Sequence, residues 1–156
     1  MKRAEETEYL LQGRHVHRLV PGEVSGPAVV ICPPAFEERK ACARMQVETA
    51  RRLAARGMPV YAIDYRGTGD SGGQLEAVSL EDWREDVLMA VRHAAAAHGA
   101  PVVAAGIRLG GALALWTLLE GGAAGALLWE PVLEGGGYLR RELRKKLAKE
   151  VMGRGR

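Results

Sequence analysis

The stretch VVAAGIRLGGALAL, residues 102–115, decides the fold. Its first four residues, Val102–Ala105, form a short apolar run, which predicts a strand buried on both faces. The run breaks at Gly106–Gly111, and residues of high helix propensity resume at Ala112. The stretch therefore predicts a buried strand that turns sharply into a helix, with small residues on both sides of the turn.

Residues 106–110 of this turn, GIRLG, have the spacing of the nucleophile elbow G-x-S-x-G. The central residue of an elbow carries the reactive hydroxyl, and here that position holds Arg108. A guanidinium group stays protonated at any working pH and cannot act as a nucleophile. The sequence thus places a permanent positive charge where catalysis would require a hydroxyl.

Length and composition are those of one soluble globular domain. The chain has 156 residues, of which 47% are hydrophobic and 26% are charged, so it can bury most of its apolar surface. The net charge is +3, but the basic excess is concentrated in residues 140–156, and the rest of the chain is mixed in sign. This distribution argues against nucleic acid as a partner.

The sequence carries no strong targeting or cofactor signal. No apolar run approaches the ~20 residues that span a bilayer, and residues 1–6 lack the apolar region of a signal peptide, so we expect a cytoplasmic protein without a transmembrane segment. Cys32 and Cys42 have no metal-ligand spacing around them, which favours free thiols over a disulfide or a metal site. His15 and His17 have no third ligand nearby and are interpreted as surface histidines. No cofactor and no metal site are predicted.

Alternating strands and helices between residues 28 and 129 predict a three-layer α/β/α fold with a mostly parallel sheet of about six strands. The predicted strands are Tyr9–Gln12 and His15–Val20, which form an antiparallel hairpin, and then Ala28–Cys32, Val60–Ile63, Val102–Ala105 and Ala126–Trp129. The predicted helices are Cys42–Arg56, a helix capped by Ser79 and Asp82 that runs to His98, and a helix from the elbow to Glu120.

The C-terminal part of the chain differs in character from the rest. We expect a domain over residues 1–135 and a basic helix or tail over residues 136–156. Within this tail, Tyr138–Met152 has apolar side chains at four-residue intervals among basic ones, which predicts an amphipathic helix. Such a helix could bind a membrane surface or a partner, lie against the sheet, or be disordered.

Two further motifs, together with the elbow, carry a resemblance to a known family. Residues 64–73, DYRGTGDSGG, follow a predicted strand, and the elbow comes about forty residues later. With the leading hairpin, this arrangement resembles the α/β-hydrolase superfamily. More narrowly, residues 32–38, CPPAFEE, and the elbow resemble the exosortase A system-associated, serine-aminopeptidase-like branch, some members of which also carry arginine at the elbow. The resemblance covers about residues 8–135, the N-terminal part of that fold.

The resemblance implies where an oxyanion hole would lie and what the catalytic triad lacks. The donors would be the backbone N–H groups of Leu109 and of Ala35 or Phe36, which a side-chain replacement does not remove. The family's acid and histidine follow the nucleophile in chain order, but this sequence has no Asp or His after position 98. The serine in residues 69–73, GDSGG, is interpreted as forming local turn hydrogen bonds.

Arg108 therefore has two open interpretations. A cation at the amino end of a helix opposes the helix dipole at a cost of about 0.3–1 kcal/mol, so an anion should offset it. That anion could be Glu130, Glu37 or Glu38, which would close a non-functional cleft. Alternatively, the guanidinium and the nearby amides could bind a carboxylate or phosphate ligand, because arginine presents forked donors suited to oxyanions. Ser71 completes the set of candidate ligand-binding residues.

The last predicted strand, Ala126–Trp129, would form an open sheet edge, because the resembled fold continues beyond its sixth strand. Open edges invite pairing, so we expect association with a second copy or with a complementary C-terminal-half chain, or coverage by the C-terminal helix. Together these observations favour a non-catalytic binding or assembly module with an anion-compatible cleft at Arg108. The alternative is an esterase, peptidase or acyl hydrolase subunit of the serine-hydrolase type that obtains its acid and histidine from a second chain.

Overall fold

In the computed structural model, which describes residues 4–153, helices cover both faces of a six-stranded sheet. The strands are β1 (Glu5–Leu11), β2 (Arg14–Val20), β3 (Ala28–Cys32), β4 (Val60–Ile63), β5 (Val102–Ile107) and β6 (Gly125–Trp129). The helices are α1 (Phe36–Ala54), α2 (Leu80–His98), α3 (Leu109–Leu119) and α4 (Gly135–Gly153), and a short 3-10 turn spans Leu75–Ala77. The last three positions of the predicted tail, 154–156, lie outside the described residues, as do residues 1–3.

The strand order in the sheet is β1-β2-β4-β3-β5-β6. The β1–β2 and β2–β4 pairs are antiparallel, whereas β4, β3, β5 and β6 run parallel. The prediction of a mostly parallel sheet that begins with an antiparallel hairpin is therefore confirmed. The strands β1 and β6 form the two edges, and the carboxyl ends of the parallel strands meet at one side of the sheet.

Two apolar layers enclose the sheet. Helix α1 packs on one face through Ala50 and Ala54, while α2 and α3 pack on the other through residues such as Val87 and Leu113. Strand β3 is buried along its whole length. This double coverage is the physical reason for its continuous apolar run, because a strand between two helical layers has no solvent-facing side.

Helix boundaries follow local chemistry. The capping box predicted at Ser79 is confirmed, since its hydroxyl accepts from Asp82 N at 3.2 Å and Asp82 Oδ2 accepts from Ser79 N at 2.7 Å. The predicted start of α1 at Cys42 is wrong, because the helix begins six residues earlier at Phe36. Its first turn contains Glu37 and Glu38, which favour a helix amino end but carry no apolar period.

Buried polar contacts fix the loop between β4 and α2. Asp86, which is fully buried, accepts from the Nη2 and the backbone N of Arg66, both at 2.8 Å, and from Arg14 Nε at 2.6 Å. The neighbouring Tyr65 hydroxyl donates to Pro33 O at 2.9 Å, and burial raises the pKa of this tyrosine well above its usual value. The loop therefore ties β1–β2 and α2 to the segment that follows β3.

Helix α4 folds back over the carboxyl side of the sheet. The Tyr138 side chain is buried there and lies against Phe36, with ring centroids 6.4 Å apart. Leu127 and Trp129 of β6 stay exposed, so α4 does not cover the β6 edge. None of the helices within residues 4–153 is long and apolar enough to cross a bilayer.

Candidate active-site cleft

The turn between β5 and α3 has the backbone geometry of an elbow. Arg108 adopts φ 55° and ψ −117°, its N–H donates to Trp129 O at 3.0 Å, and its carbonyl accepts from Val132 N at 3.0 Å. The flanking glycines are sterically required, since a Cβ atom on Gly106 would overlap the Gly110 carbonyl. A non-glycine residue in this conformation is strained, and the close packing on both sides of the turn holds it in place.

Backbone strain concentrates around this cleft. Four non-glycine residues in the described part of the chain have positive φ, and three of them surround the cleft: Arg108 at 55°, Phe36 at 55° and Glu130 at 44°. They follow the carboxyl ends of β5, β3 and β6, which are neighbours in the sheet. Such backbone conformations cost free energy, and strained residues therefore cluster at functional sites, where the strain is part of the function.

The Arg108 guanidinium is held by two acceptors. Its Nε donates to Glu38 Oε1 at 3.3 Å and its Nη1 donates to Glu130 O at 3.2 Å, while the Glu130 carboxylate lies 3.9 Å away. The other oxygen of Glu38 accepts from the Tyr138 hydroxyl at 3.0 Å. We call Arg108, Glu38 and Tyr138 the elbow network. Burial, followed by the nearby Glu38 carboxylate, raises the pKa of Tyr138, so this hydroxyl remains a donor at neutral pH.

Two candidate side chains, those of Glu37 and Ser71, have partners other than Arg108. Glu37 pairs with Lys149 of α4 at 3.0 Å instead of with Arg108. The Ser71 hydroxyl donates to Asp64 O at 2.6 Å and accepts from His15 N at 2.7 Å, so both its donor and its acceptor function serve to join the loop after β4 to β2.

The N–H groups that the resemblance implies as oxyanion donors lie at the starts of two helices. Leu109 is the first residue of α3 and Phe36 the first of α1, so neither N–H has an acceptor within its own helix. Gly110 of α3 packs so tightly against Cys32 and Pro33, at the end of β3, that a Cβ atom would overlap both carbonyls. Ala35, the alternative donor, is buried directly before α1.

A cavity of about 400 Å³ opens beside the elbow network. Arg108 and Arg141 both line it, and the Arg108 side chain is about 25% exposed. The amino end of α4 also faces this cavity, where Glu134 Oε2 accepts from Gly137 N at 2.6 Å. A smaller, mainly apolar cavity of about 260 Å³ lies on the other side of Tyr138.

Comparison with known proteins assigns the chain to a family. Residues 28–154 match the family model described as serine aminopeptidase, S33. The chain belongs to the S33 serine aminopeptidase family. A comparison with curated proteins returned no significant match.

Solved structures similar to this S33 family member are α/β hydrolases. A lidless α/β serine hydrolase from Xanthomonas campestris is 16% identical, with a TM-score of 0.64 over 81% of this chain and 60% of its own. Esterase 2 of Thermogutta terrifontis, solved phosphorylated by paraoxon, is 26% identical, with a TM-score of 0.60 over 85% of this chain and 59% of its own. The S33 family member thus spans about three fifths of the length of these two proteins.

The sequence did not predict that Tyr138 and Arg141 lie at the cleft of this S33 family member. Tyr138 and Arg141 reach it only because α4 folds back over the sheet, and the one signal for this was an aromatic residue at the start of a basic helix. The structure also brings ligand atoms of His15, Asp64 and Asp70 within 4.8 Å of one another, a grouping that the sequence did not indicate and that does not include His17. Arg39 pairs with Asp64 in this group, with Nη2 2.5 Å from Oδ1.

Proposed function

We propose that this chain is a non-catalytic member of the S33 family whose cleft binds a small carboxylate or phosphate ligand at Arg108. The observation that carries the proposal is the position of the guanidinium. It occupies the nucleophile site at the mouth of the sheet, is partly exposed, and shares a cavity with Arg141. Within the same branch, we propose an exosortase-associated member, on the basis of the elbow arginine.

Three features favour anion binding in this cleft. Two guanidinium groups line one cavity, and each offers forked donors that match the geometry of a carboxylate or phosphate. The N–H groups that begin α1 and α3 add partial positive charge beside Arg108. Among residues 4–153, only the carboxylates of Glu38 and Glu130 pair with Arg108, and the Glu130 carboxylate is the more distant. An incoming anion can therefore bind beside the Arg108 guanidinium.

Two features favour loss of catalysis. The elbow position carries a guanidinium, and the Ser71 hydroxyl is engaged by Asp64 O and His15 N. A serine-hydrolase mechanism needs a nucleophile, a base and an orienting acid in contact with one another. The elbow of this chain supplies no nucleophile.

Ligand-dependent thermal stabilisation tests the proposal. We expect inorganic phosphate, citrate or butyrate to raise the melting temperature of the native chain and to leave that of Arg108→Ala unchanged. At a ligand concentration 100 times the Kd, the expected stabilisation is about 2.7 kcal/mol. Arg108→Lys should keep part of the effect, because it retains the charge and loses the forked donors.

The matched control is Arg92→Ala, which removes an exposed arginine of α2 outside the cleft. It should keep the full ligand-induced shift. An equal shift in the native chain and in Arg108→Ala, or none in either across all three anions, contradicts anion binding at the elbow.

The second candidate function is a hydrolase subunit completed by another chain. The retained helix starts at Leu109 and Phe36 favour it, as does the 26% identity to an esterase that paraoxon phosphorylates. Incubation with a fluorophosphonate probe, in an extract that contains the completing chain, separates the two candidates. A non-catalytic protein stays unlabelled, whereas covalent labelling of any serine would support the hydrolase subunit.

For assembly, we propose pairing of β6 with the β6 of a second copy. The exposed strand carries no charged residue and no proline between Gly125 and Trp129, so it lacks the usual protection of an edge. Antiparallel pairing about a two-fold axis at Leu127 would set Trp129 opposite the partner's Gly125, an arrangement in which the indole covers the glycine.

We expect light scattering to detect a dimer that Leu127→Lys converts to a monomer, because the two-fold axis would place like charges opposite each other. The matched control is Leu10→Lys, on the opposite edge strand β1, where the leucine is similarly exposed (64%, against 58% for Leu127). A monomeric native chain, or a dimer that only Leu10→Lys disrupts, would contradict pairing through β6.

A further inference from the structure

Helix α4 attaches to the rest of the chain through its polar face. Within this helix, only Tyr138 and Glu142 are buried. Tyr138 donates to Glu38, and one turn from the end of the helix Lys149 Nζ lies 3.0 Å from Glu37. Residues 138, 142 and 149 lie on one side of a helix with 3.6 residues per turn. The attachment to α1 is thus made by the Tyr138 ring, which lies against Phe36, and by hydroxyl, carboxylate and ammonium groups.

The apolar face of α4 points the other way. Four side chains at four-residue intervals form a stripe that begins beside Gly135–Gly137 and runs to the end of the helix. They are Leu139 (50% exposed), Leu143 (59%), Leu147 (59%) and Val151 (74%). An amphipathic helix of a globular protein normally buries this face. Here the described residues leave it open to solvent along the length of the helix.

Basic residues surround this leucine stripe. Between residues 138 and 152 there are six basic side chains and two acidic ones, a net charge of +4. Arg140 and Arg144 lie along one border of the stripe, and Lys146 lies along the other, followed one turn later by Glu150, as the helical period requires. Long cationic side chains can extend their charged ends away from an apolar surface on which their stems lie.

We propose that α4 is an interfacial helix that lies on an anionic lipid surface. The leucine stripe would enter the boundary between headgroups and acyl chains, and the bordering arginines and lysine would contact lipid phosphates. Charge complementarity favours an anionic lipid surface over a second copy of the chain as the partner of the leucine stripe. Pairing two copies through the same stripe would bring two sets of basic residues together, whereas an anionic surface neutralises them.

Vesicle co-sedimentation of the full chain tests the proposal. We expect binding to mixed phosphatidylcholine–phosphatidylglycerol vesicles and at least about a tenfold loss on phosphatidylcholine alone, since each basic residue near an anionic surface is worth roughly a fivefold change in affinity. Added salt should weaken the binding. Arg144→Gln with Lys146→Gln should weaken it on anionic vesicles only.

The apolar contribution is tested with the double variant Leu143→Glu, Leu147→Glu, which should lose vesicle binding. Both leucines are exposed, so circular dichroism should show an unchanged fold. The matched control is Leu119→Glu, which changes an exposed leucine (72%) at the end of α3 and should bind like the native chain.

Three results would overturn the proposal. The first is equal binding to neutral and anionic vesicles, and the second is full binding by the double variant. The third is no binding to either vesicle together with a dimer in light scattering that the double variant abolishes, which would assign the stripe to a second copy. Failure of anion binding at Arg108 affects none of these readouts.

Discussion

The Asp86→Ala variant is expected to lose about 3–5 kcal/mol of unfolding free energy, the usual result of removing one partner from a buried ion pair. The Asp86 carboxylate is fully buried and accepts from Arg14 and from both the side chain and the backbone of Arg66. Its removal takes this acceptor from Arg14 Nε, from Arg66 Nη2 and from the Arg66 backbone N–H, while Arg66 Nη1 keeps Asp82 at 2.7 Å. Urea denaturation followed by circular dichroism measures the loss, a large part of the 5–15 kcal/mol or so that stabilises a typical domain.

The matched control is Glu85→Ala on the same helix. Glu85 is 60% exposed and lies 3.4 Å from the same Arg66 guanidinium, so its removal should lower the unfolding free energy by only about 0–1 kcal/mol. Equal losses in the two variants would mean that burial does not set the strength of this contact. A loss below about 1 kcal/mol for Asp86→Ala would show that water replaces the carboxylate.

The layered architecture could be predicted because its signals are local. Strand β3 is buried on both faces and is therefore apolar at every position, and the start of α2 is set by Ser79 and a residue three positions later. The elbow is also local, since a strand, a glycine-flanked turn and a helix follow one another within fourteen residues, 102–115. Each of these signals is carried by residues that are neighbours in the chain.

The contacts of Asp86 could not be predicted, because they join distant parts of the chain. Arg14 lies 72 residues away in sequence and Arg66 lies 20 residues away. As a motif, residues 64–73 resemble a family signature. In the structure, the Arg66 of this motif neutralises a buried carboxylate on α2, and its Ser71 joins the loop to β2. The contacts of Arg66 and Ser71 thus stabilise the folded loop, which explains these two residues of the motif.

The sequence predicts where the candidate site lies, but it does not predict which residues contact Arg108. The sequence could place Arg108 at the mouth of the sheet, and it offered three carboxylates without a basis for choosing among them. Glu37 and Glu38 are adjacent in α1, so their side chains point about 100° apart. One of them meets Arg108 and the other meets Lys149. That choice depends on where α4 folds, which no local pattern determines.

The Gly110→Ala variant is expected to lose about 3 kcal/mol of unfolding free energy, at the upper end of the range for overpacking a closely packed site. In an open helix, alanine would be more stable than glycine by about 1 kcal/mol. At Gly110 the new Cβ atom would overlap the carbonyl oxygens of Cys32 and Pro33, which are backbone atoms at the end of a central strand and cannot rotate away. Thermal and urea unfolding measure the loss.

Gly135→Ala is the matched control, because a Cβ atom at this helical glycine meets nothing within 4 Å. We expect it to change the unfolding free energy by less than about 1 kcal/mol. If Gly110→Ala were equally mild, the contact between the start of α3 and the end of β3 would be loose. A large loss means that packing maintains the elbow glycines in a chain whose elbow has no nucleophile. The turn then persists because the fold requires it.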